Sequence, residues 1–294
     1  MRFADIGQQL RAYRLESGLR AEEIAARLGV SRAALYRYEK GEVIKLDTIR
    51  RLAELLKISP LSLLGIGVEY FARPVGFLER LRQVEEQADQ LLLVGGAVCF
   101  QTLTDAFEGA LAEAWAEIAD TAPDRAQARA AADQALGMLA SRRRLFQSRK
   151  PTIIGILAEG QLRRFLQDGV AAGLPLSERT RARCRSAAAA EAEAMAGLME
   201  SVPIGIQLGL TAGPDPAGSF MVLRGRERAH VVASPFPPDA APNGGIGVAM
   251  ITAADDAVAV HQRVAESAWR DALKGAAAAG RVRELVAESR TRNA

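Results

Sequence analysis

The sequence predicts an all-α domain of five helices at its amino end, followed by a larger mixed α/β (α+β) domain containing an antiparallel meander. Three observations predict this. Between Ile6 and Leu64 apolar residues recur every three or four positions, with glycine, serine and proline at the breaks. Near Leu91 the period changes, and apolar runs such as LLLVGGAV and PTIIGILAE begin to alternate with helical patterns. Late in the chain four short strand-like runs follow one another, separated by turn-forming residues.

The first helix carries Ile6, Leu10 and Tyr13 on one stripe and ends near Ser17-Gly18. The second, AEEIAARL, places Ile24, Ala25 and Leu28 on one face and Glu22 and Glu23 in its opening turn, where negative charge suits the helix dipole. Gly29 stops it, and Val30 can fold back as an apolar plug. Ser31 caps the third helix, in which Leu35 and Tyr38 or Glu39 face inward while Arg32, Ala33, Tyr36 and Arg37 point out. In the fourth, Ile49, Leu52, Ala53 and Leu56 form the inward face. Ser59-Pro60 opens a short fifth helix, and Leu64 closes the domain.

Two helices joined by so tight a turn form a helix-turn-helix, whose second helix fits a major groove roughly 12 Å wide. From about Ile6 to Gly65, through IGQQLRAYRLESGL, EEIAARLGVSRAALYRYEKGE and LDTIRRLAELLKISPLSLL, the chain resembles the Cro/repressor, or Xre-type, domain with its five-helix lambda-repressor-like fold. The resemblance implies double-stranded operator DNA as partner. It puts base-reading positions at Arg32, Ala33 and Arg37, with Ser31 and Tyr36 at the edge of the contact. It also implies a structural ion pair between Arg14 and Glu39. Arginine can bind guanine O6 and N7 in bidentate fashion, and the Ala33 methyl suits a thymine methyl. Lys40 and Lys45 are placed for phosphates. The family often opens its second helix with a polar cap and a phosphate-binding Gln. Here Arg20 and Ala21 stand there, so Arg20 can replace the phosphate contact but not the cap.

Charge distribution agrees. The 294-residue chain has a net charge of +3, yet residues 1–68 hold 12 Lys and Arg against 8 Asp and Glu, while the remainder holds 26 against 27. The basic surplus lies on the helical domain, as attraction to phosphates requires. With 49% hydrophobic and 25% charged residues, the composition is that of a globular protein. Aromatics are scarce at 5%, so much of the packing is expected to be helix on helix through small residues. The amino end lacks an apolar signal core, and no apolar run nears the roughly 18 residues of a membrane span, so a cytoplasmic location is expected.

Residues 1–68 are expected to form the DNA-binding domain, 69–90 a linker helix and 91–294 an effector-sensing and dimerisation domain. The glycines and proline of GIGVEYFARPV mark residues 65 to about 75 as linker. The charged run after it carries Phe77, Leu78, Leu81, Val84 and Ala88 on one side. Beyond come a buried strand at 91–98, two helical stretches, a strand at PTIIGILAE, a short helix, and an Ala-rich helix over about 177–200. The meander is expected from PIGIQLGL, GSFMVLRG, RAHVVASPF and GIGVAMIT. A helix from Ala254 to about Ala279 and a frayed tail complete the chain. Less specifically, residues 85 to 270 resemble the uncharacterised sensor-like domain that follows such modules in bacterial regulators. The likeness rests on Gln101-Thr102 after an apolar run, Arg142-Arg143-Arg144, Glu159 with Leu162-Arg163-Arg164, and the pair VPIGIQLGL and GSFMVLRG. GGAVCF replaces the family's turn before the Gln-Thr.

Catalytic and metal motifs are sparse. His230 and His261 have no neighbour at metal-ligand spacing and are expected to be structural; no H-x-K signature is present. Cys99 and Cys184 form neither a disulfide framework nor a ligand cluster. VGGAV lacks both phosphate-loop patterns, and its glycines suit close strand-to-helix packing. A Ser234–Lys274 self-cleaving pair has acceptable separation, but Lys274 falls on an expected amphipathic helix, where solvation keeps a lysine protonated. The arginine runs 142–144, 163–164 and 179–185 suit solvated helix faces, with an anion pocket as the alternative. No cofactor, metal or enzymatic activity is expected. The expectation is therefore a ligand-responsive dimeric regulator. The alternatives are an antitoxin- or phage-type DNA-binding protein whose large domain binds a protein partner, and a self-regulating enzyme.

Overall fold

The structure, a computed structural model, describes residues 3–65, 67–213, 218–236, 239 and 247–293. Five helices, α1 (Phe3–Ser17), α2 (Ala21–Leu28), α3 (Arg32–Glu39), α4 (Leu46–Leu56) and α5 (Pro60–Leu63), form a head. Leu10, Ile24, Leu35, Leu52 and Leu63, one from each helix, are fully buried. Gly29 ends α2 with φ 70°, and the Val30 N–H donates back to the Ala25 carbonyl at 3.0 Å. Gly7 lets α1 touch the end of α3, since a Cβ there would meet the Tyr38 and Glu39 carbonyl oxygens at 2.5 and 2.6 Å.

The rest, the body, contains β1 (Val68–Phe71), α6 (Pro74–Gln87), β2 (Ala88–Gly96), a 3-10 turn (Phe100–Thr102), α7 (Asp105–Thr121), α8 (Arg125–Arg149), β3 (Thr152–Ala158), α9 (Glu159–Asp168) and α10 (Glu178–Ser201). It continues through β4 (Ile206–Thr211), β5 (Phe220–Gly225), β6 (Ala229–Ala233), β7 (Ala249–Thr252), α11 (Asp255–Asp271), β8 (Leu273–Lys274) and α12 (Gly275–Asn293). Among the described residues eight strands make one sheet, in the order β1-β7-β6-β5-β2-β3-β4-β8. One face packs on α6, α9, α10, α12 and the head; α11 covers the other, over Leu92, Val94, Ile156, Val222 and Val231. A further apolar cluster around Phe107, Leu111 and Trp115 joins α7, α8 and α10.

The meander is shorter than expected. PIGIQLGL becomes β4, which lies parallel to β3, with Ile153 opposite Ile206 and Leu157 opposite Leu210. Only β5, β6 and β7 run antiparallel in succession. The α9–α10 crossover between β3 and β4 explains this, because a helical connection returns a strand in the same direction.

The expected linker at 65–75 is not one. Residues 68–71 form β1, an edge strand antiparallel to β7, and Phe71 is fully buried. The following helix is interior: Phe77, Leu81 and Val84 are buried, and so are Glu79, Arg80, Gln83 and Glu85. Its charges can be buried because they are paired. Arg80 donates to Glu69 at 2.7 and 2.9 Å, and Arg142 donates to Glu85 at 2.7 Å through two nitrogens. Ala88, expected on this helix, begins β2, so the body's sheet starts before residue 91.

Head and body therefore share one apolar core, which runs from Ile6 and Leu10 through Phe71 and Phe77 to Ile251. Tyr13 stacks on Phe71 with centroids 5.3 Å apart and planes 13° apart. Glu16 accepts from the Ala72 and Arg73 N–H groups at 2.6 and 3.0 Å. Gly76 permits the crossing of α1 and α6, since a Cβ there would lie 2.7 Å from that of Glu16.

The expected frayed tail is also ordered. The turn at Gly275, φ 58°, starts α12, whose Ala278, Ala279, Val282, Leu285 and Val286 are buried in the same cluster as Ala192, Met195, Ala196 and Met199 of α10. Small residues on both helices allow that close packing. Lys274, expected within a helix, stands in β8, opposite Gly209 of β4.

Candidate nucleic-acid interface

The outward face of α3 begins at Ser31. Its hydroxyl oxygen accepts from the Ala34 N–H at 3.0 Å, which fixes the first turn and leaves the hydroxyl proton free to donate outward. At the far end, Glu39 accepts from Arg14 at 2.6 and 3.1 Å, clamping α3 onto α1. Leu35 and Ala34 point into the core between these fixed ends. The side chains of Arg32 and Arg37 are 59% and 60% exposed, and Ala33 is exposed between them.

Among the described residues, the ion pairs of both arginines are made within the head. Arg32 forms an ion pair with Glu22 at 2.8 Å, and its Cζ lies 5.3 Å from the centroid of the Tyr36 ring. Arg37 pairs with Glu42 at 3.2 Å. Exposed pairs of this kind contribute about 0–1 kcal/mol at most, so either guanidinium exchanges its carboxylate for a base edge or phosphate at small cost. Tyr36 is half-buried, with Arg14 Cζ 6.0 Å from its centroid on the protein side. Its ring thus positions Arg32 as well as lying at the contact's edge. In the sequence Glu22 marks only the helix dipole, because the α2–α3 crossing that brings it to Arg32 is a tertiary feature.

Arg20 stands at the N-cap of α2. Glu23 closes that turn instead, accepting from the Arg20 backbone N–H at 3.0 Å and from its guanidinium at 3.0 and 3.1 Å. These bonds, the backbone one first, hold the Glu23 carboxyl below the usual carboxylate range. Lys40 at the C-cap of α3 and Lys45 before α4 are both exposed. Arg27, Arg50 and Arg51 add exposed positive charge on α2 and α4, which sequence reasoning passed over because they lie outside the matched contact positions.

The body's arginine runs are largely committed to ion pairs. Arg142 is buried with Glu85, Arg143 reaches Asp105 and Glu108 at 2.7 and 3.0 Å, and Arg163 bridges Glu159 and Glu288. Arg183 pairs with Glu113 and Arg185 with Glu178. His261 Nδ1 contacts the Ala257 carbonyl at 2.8 Å, and its ring meets Phe220 edge-on. Lys274 Nζ donates to the Ala272 carbonyl at 3.0 Å and lies over Trp269, while Ser234 Oγ accepts from the Phe236 N–H.

An exposed arginine-bearing helix, capped by Ser31 at its start and tied to α1 through Glu39 at its end, defines the five-helix head as a helix-turn-helix domain. Residues 5–63 match the profile of a family described as a helix-turn-helix domain, which points to a DNA-binding regulator. The match covers the head alone. Among curated proteins none matches the chain, and among solved structures none does. No helix among the described residues is long and apolar enough to cross a membrane.

Proposed function

We propose that the protein is a sequence-specific transcriptional regulator of the Xre/Cro type, a ligand-responsive dimeric repressor whose body senses the effector. The observation that carries this reading is the outward face of α3, where Arg32, Ala33 and Arg37 are exposed on a helix capped by Ser31 and tied to α1 by Glu39. A two-fold dimer presents two such helices to successive major grooves about 34 Å apart, and an effector acts by favouring or disfavouring that spacing. Lys40, Lys45 and Arg20 grip phosphates, so affinity falls steeply with salt. The body binds rather than catalyses. In support, burial pushes the Cys99 thiol up to about 11, far from a nucleophile's working range.

The test is selection of a preferred duplex from a random pool, followed by anisotropy titrations. Arg32→Ala and Arg37→Ala should each cost about 1–3 kcal/mol and relax preference at one base pair. Lys40→Ala should weaken all sequences alike and lower the salt slope by about one. Wild-type affinity in both arginine variants would refute the assigned recognition face.

A further inference from the structure

The strand register gathers three strand ends at one place. Val94 near the end of β2 pairs with Phe220 at the start of β5, and Phe220 pairs with Ala233 at the end of β6. Here the parallel half of the sheet meets the antiparallel half, and connections leave in different directions. In open α/β sheets such a switch leaves a crevice beyond the carboxyl ends of the strands. A cavity of about 270 Å³ opens at this spot, beside the Gly95-Gly96 backbone. It lies just below the usual 300–1,000 Å³ range of small-molecule sites, and so suits a single-ring ligand rather than a nucleotide.

Its lining is selective. Phe100, Phe107 and Phe165 form one aromatic wall, with successive centroids 6.2 Å apart, and Phe236 forms another. Gln161, Ser219 and Ser234 supply neutral polar groups. Among the described residues no lysine, arginine or histidine lines the cavity, and Asp239 is its one ionisable side chain. The Asp239 carboxylate accepts from the Ala171 N–H at 2.9 Å, and no cation among the described residues pairs with it. Burial lifts its carboxyl above the usual carboxylate range. A ligand bringing positive charge would satisfy that carboxylate and face aromatic rings that favour cations, whereas an anion would find no counter-charge.

The same cavity is connected to the head. Phe236 packs on Phe77 at 6.1 Å between centroids, Phe77 on Phe71 at 6.4 Å, and Phe71 stacks on Tyr13 of α1. Tyr13 immediately precedes Arg14, the residue that clamps α3.

The geometry points to this cavity as the binding site of a small amine with an aromatic or compact apolar body, and to the Phe236–Phe77–Phe71–Tyr13 column as the route by which its occupancy alters the head. The coupling half rests on the DNA-binding reading above; the ligand half does not.

The experiment titrates the DNA-free full chain with phenethylamine, 2-phenylethanol and phenylacetate by calorimetry. Phenethylamine should saturate in the millimolar range or below and bind at least about tenfold more tightly than phenylacetate. Asp239→Asn should reduce phenethylamine to the affinity of 2-phenylethanol. Gly96→Val should abolish binding of all three; a Cβ there meets nothing closer than the Val98 carbonyl oxygen at 3.5 Å, so this variant keeps the ligand arm testable if Asp239→Asn fails to fold. No saturable amine binding, equal binding of phenylacetate, or full binding to a folded Gly96→Val variant overturns the site.

For the coupling, amide exchange across residues 11–40 should change at saturating phenethylamine. In Phe77→Leu that change should fall at least by half while amine affinity stays within about threefold. An unchanged exchange pattern in the wild-type chain overturns the route. Absence of duplex binding with the amine results intact would instead sink the DNA-binding reading and leave the site standing.

Discussion

Glu69→Gln tests whether head and body fold as one unit. The Glu69 and Arg80 side chains are 5% and 9% exposed, and Glu69 also accepts from Gln9 of α1 at 2.8 Å. One carboxylate thus joins β1, α6 and the head. Replacing it by an amide keeps the shape but leaves the Arg80 guanidinium buried with half of its acceptor lost. Breaking a buried pair costs about 3–5 kcal/mol, and the retained amide oxygen puts this case near 3 kcal/mol. For a chain of this size that lowers Tm by about 6 °C. Adding Arg80→Met removes the stranded charge and should bring stability back to within about 1 kcal/mol of wild type.

The assay is thermal and urea unfolding, followed by far-UV circular dichroism and tryptophan fluorescence. Both tryptophans, Trp115 and Trp269, lie in the body, so fluorescence follows the body alone while dichroism also follows the head helices. The two probes should coincide in the wild-type chain and shift together in Glu69→Gln. A shift under about 1 kcal/mol, or head helices melting first in the wild-type chain, would refute the shared core.

Two further outcomes are expected. Gly7→Ala should destabilise by about 1–3 kcal/mol, because its Cβ meets backbone oxygens of Tyr38 and Glu39 that no side-chain rotation can move; unfolding titrations check it, and an unchanged midpoint would contradict the α1–α3 contact. Glu191 is fully buried, and burial raises its carboxyl above the ordinary 4.5 despite hydrogen bonds from the Thr104 N–H and hydroxyl. A raised folded value means that its favourable contribution is complete below pH 4.5 and is lost as pH climbs through the folded value. Glu191→Gln should therefore gain stability relative to wild type as pH goes from 4 to 8, and the opposite slope in paired Tm measurements would be fatal to this account.

What the sequence made legible was local. Gly29, Ser31 and Ser59-Pro60 announce the head's turns because each acts on its own backbone, and the periodic leucines place one buried residue on every helix. The exposed face of α3 follows from the same periodicity. What escaped depends on partners distant in sequence. GIGVEYFARPV has a linker's composition, yet Val68–Phe71 pairs with a strand about 180 residues later. The charges of α6 suggest solvent until Glu69 and Arg142 are found beside them. PIGIQLGL is a strand either way, and only the helical crossover before it decides its direction. Asp239 stands alone in its turn, and the four phenylalanines of its cavity are scattered over 137 positions of chain from Phe100 to Phe236.

α1 serves two neighbours at once: Gly7 and Arg14 hold α3, while Tyr13 and Glu16 hold β1 and the start of α6. The helix-turn-helix head is consequently not a portable cassette. A chimera cut after residue 65 would leave a raw apolar wound on α1, while a graft carried through Gln87 would move the wound into the body, stripping β7 of its edge partner, Arg142 of Glu85 and Phe236 of Phe77. Recombination between proteins of this build would be selected against at either junction, so head and body would be inherited together.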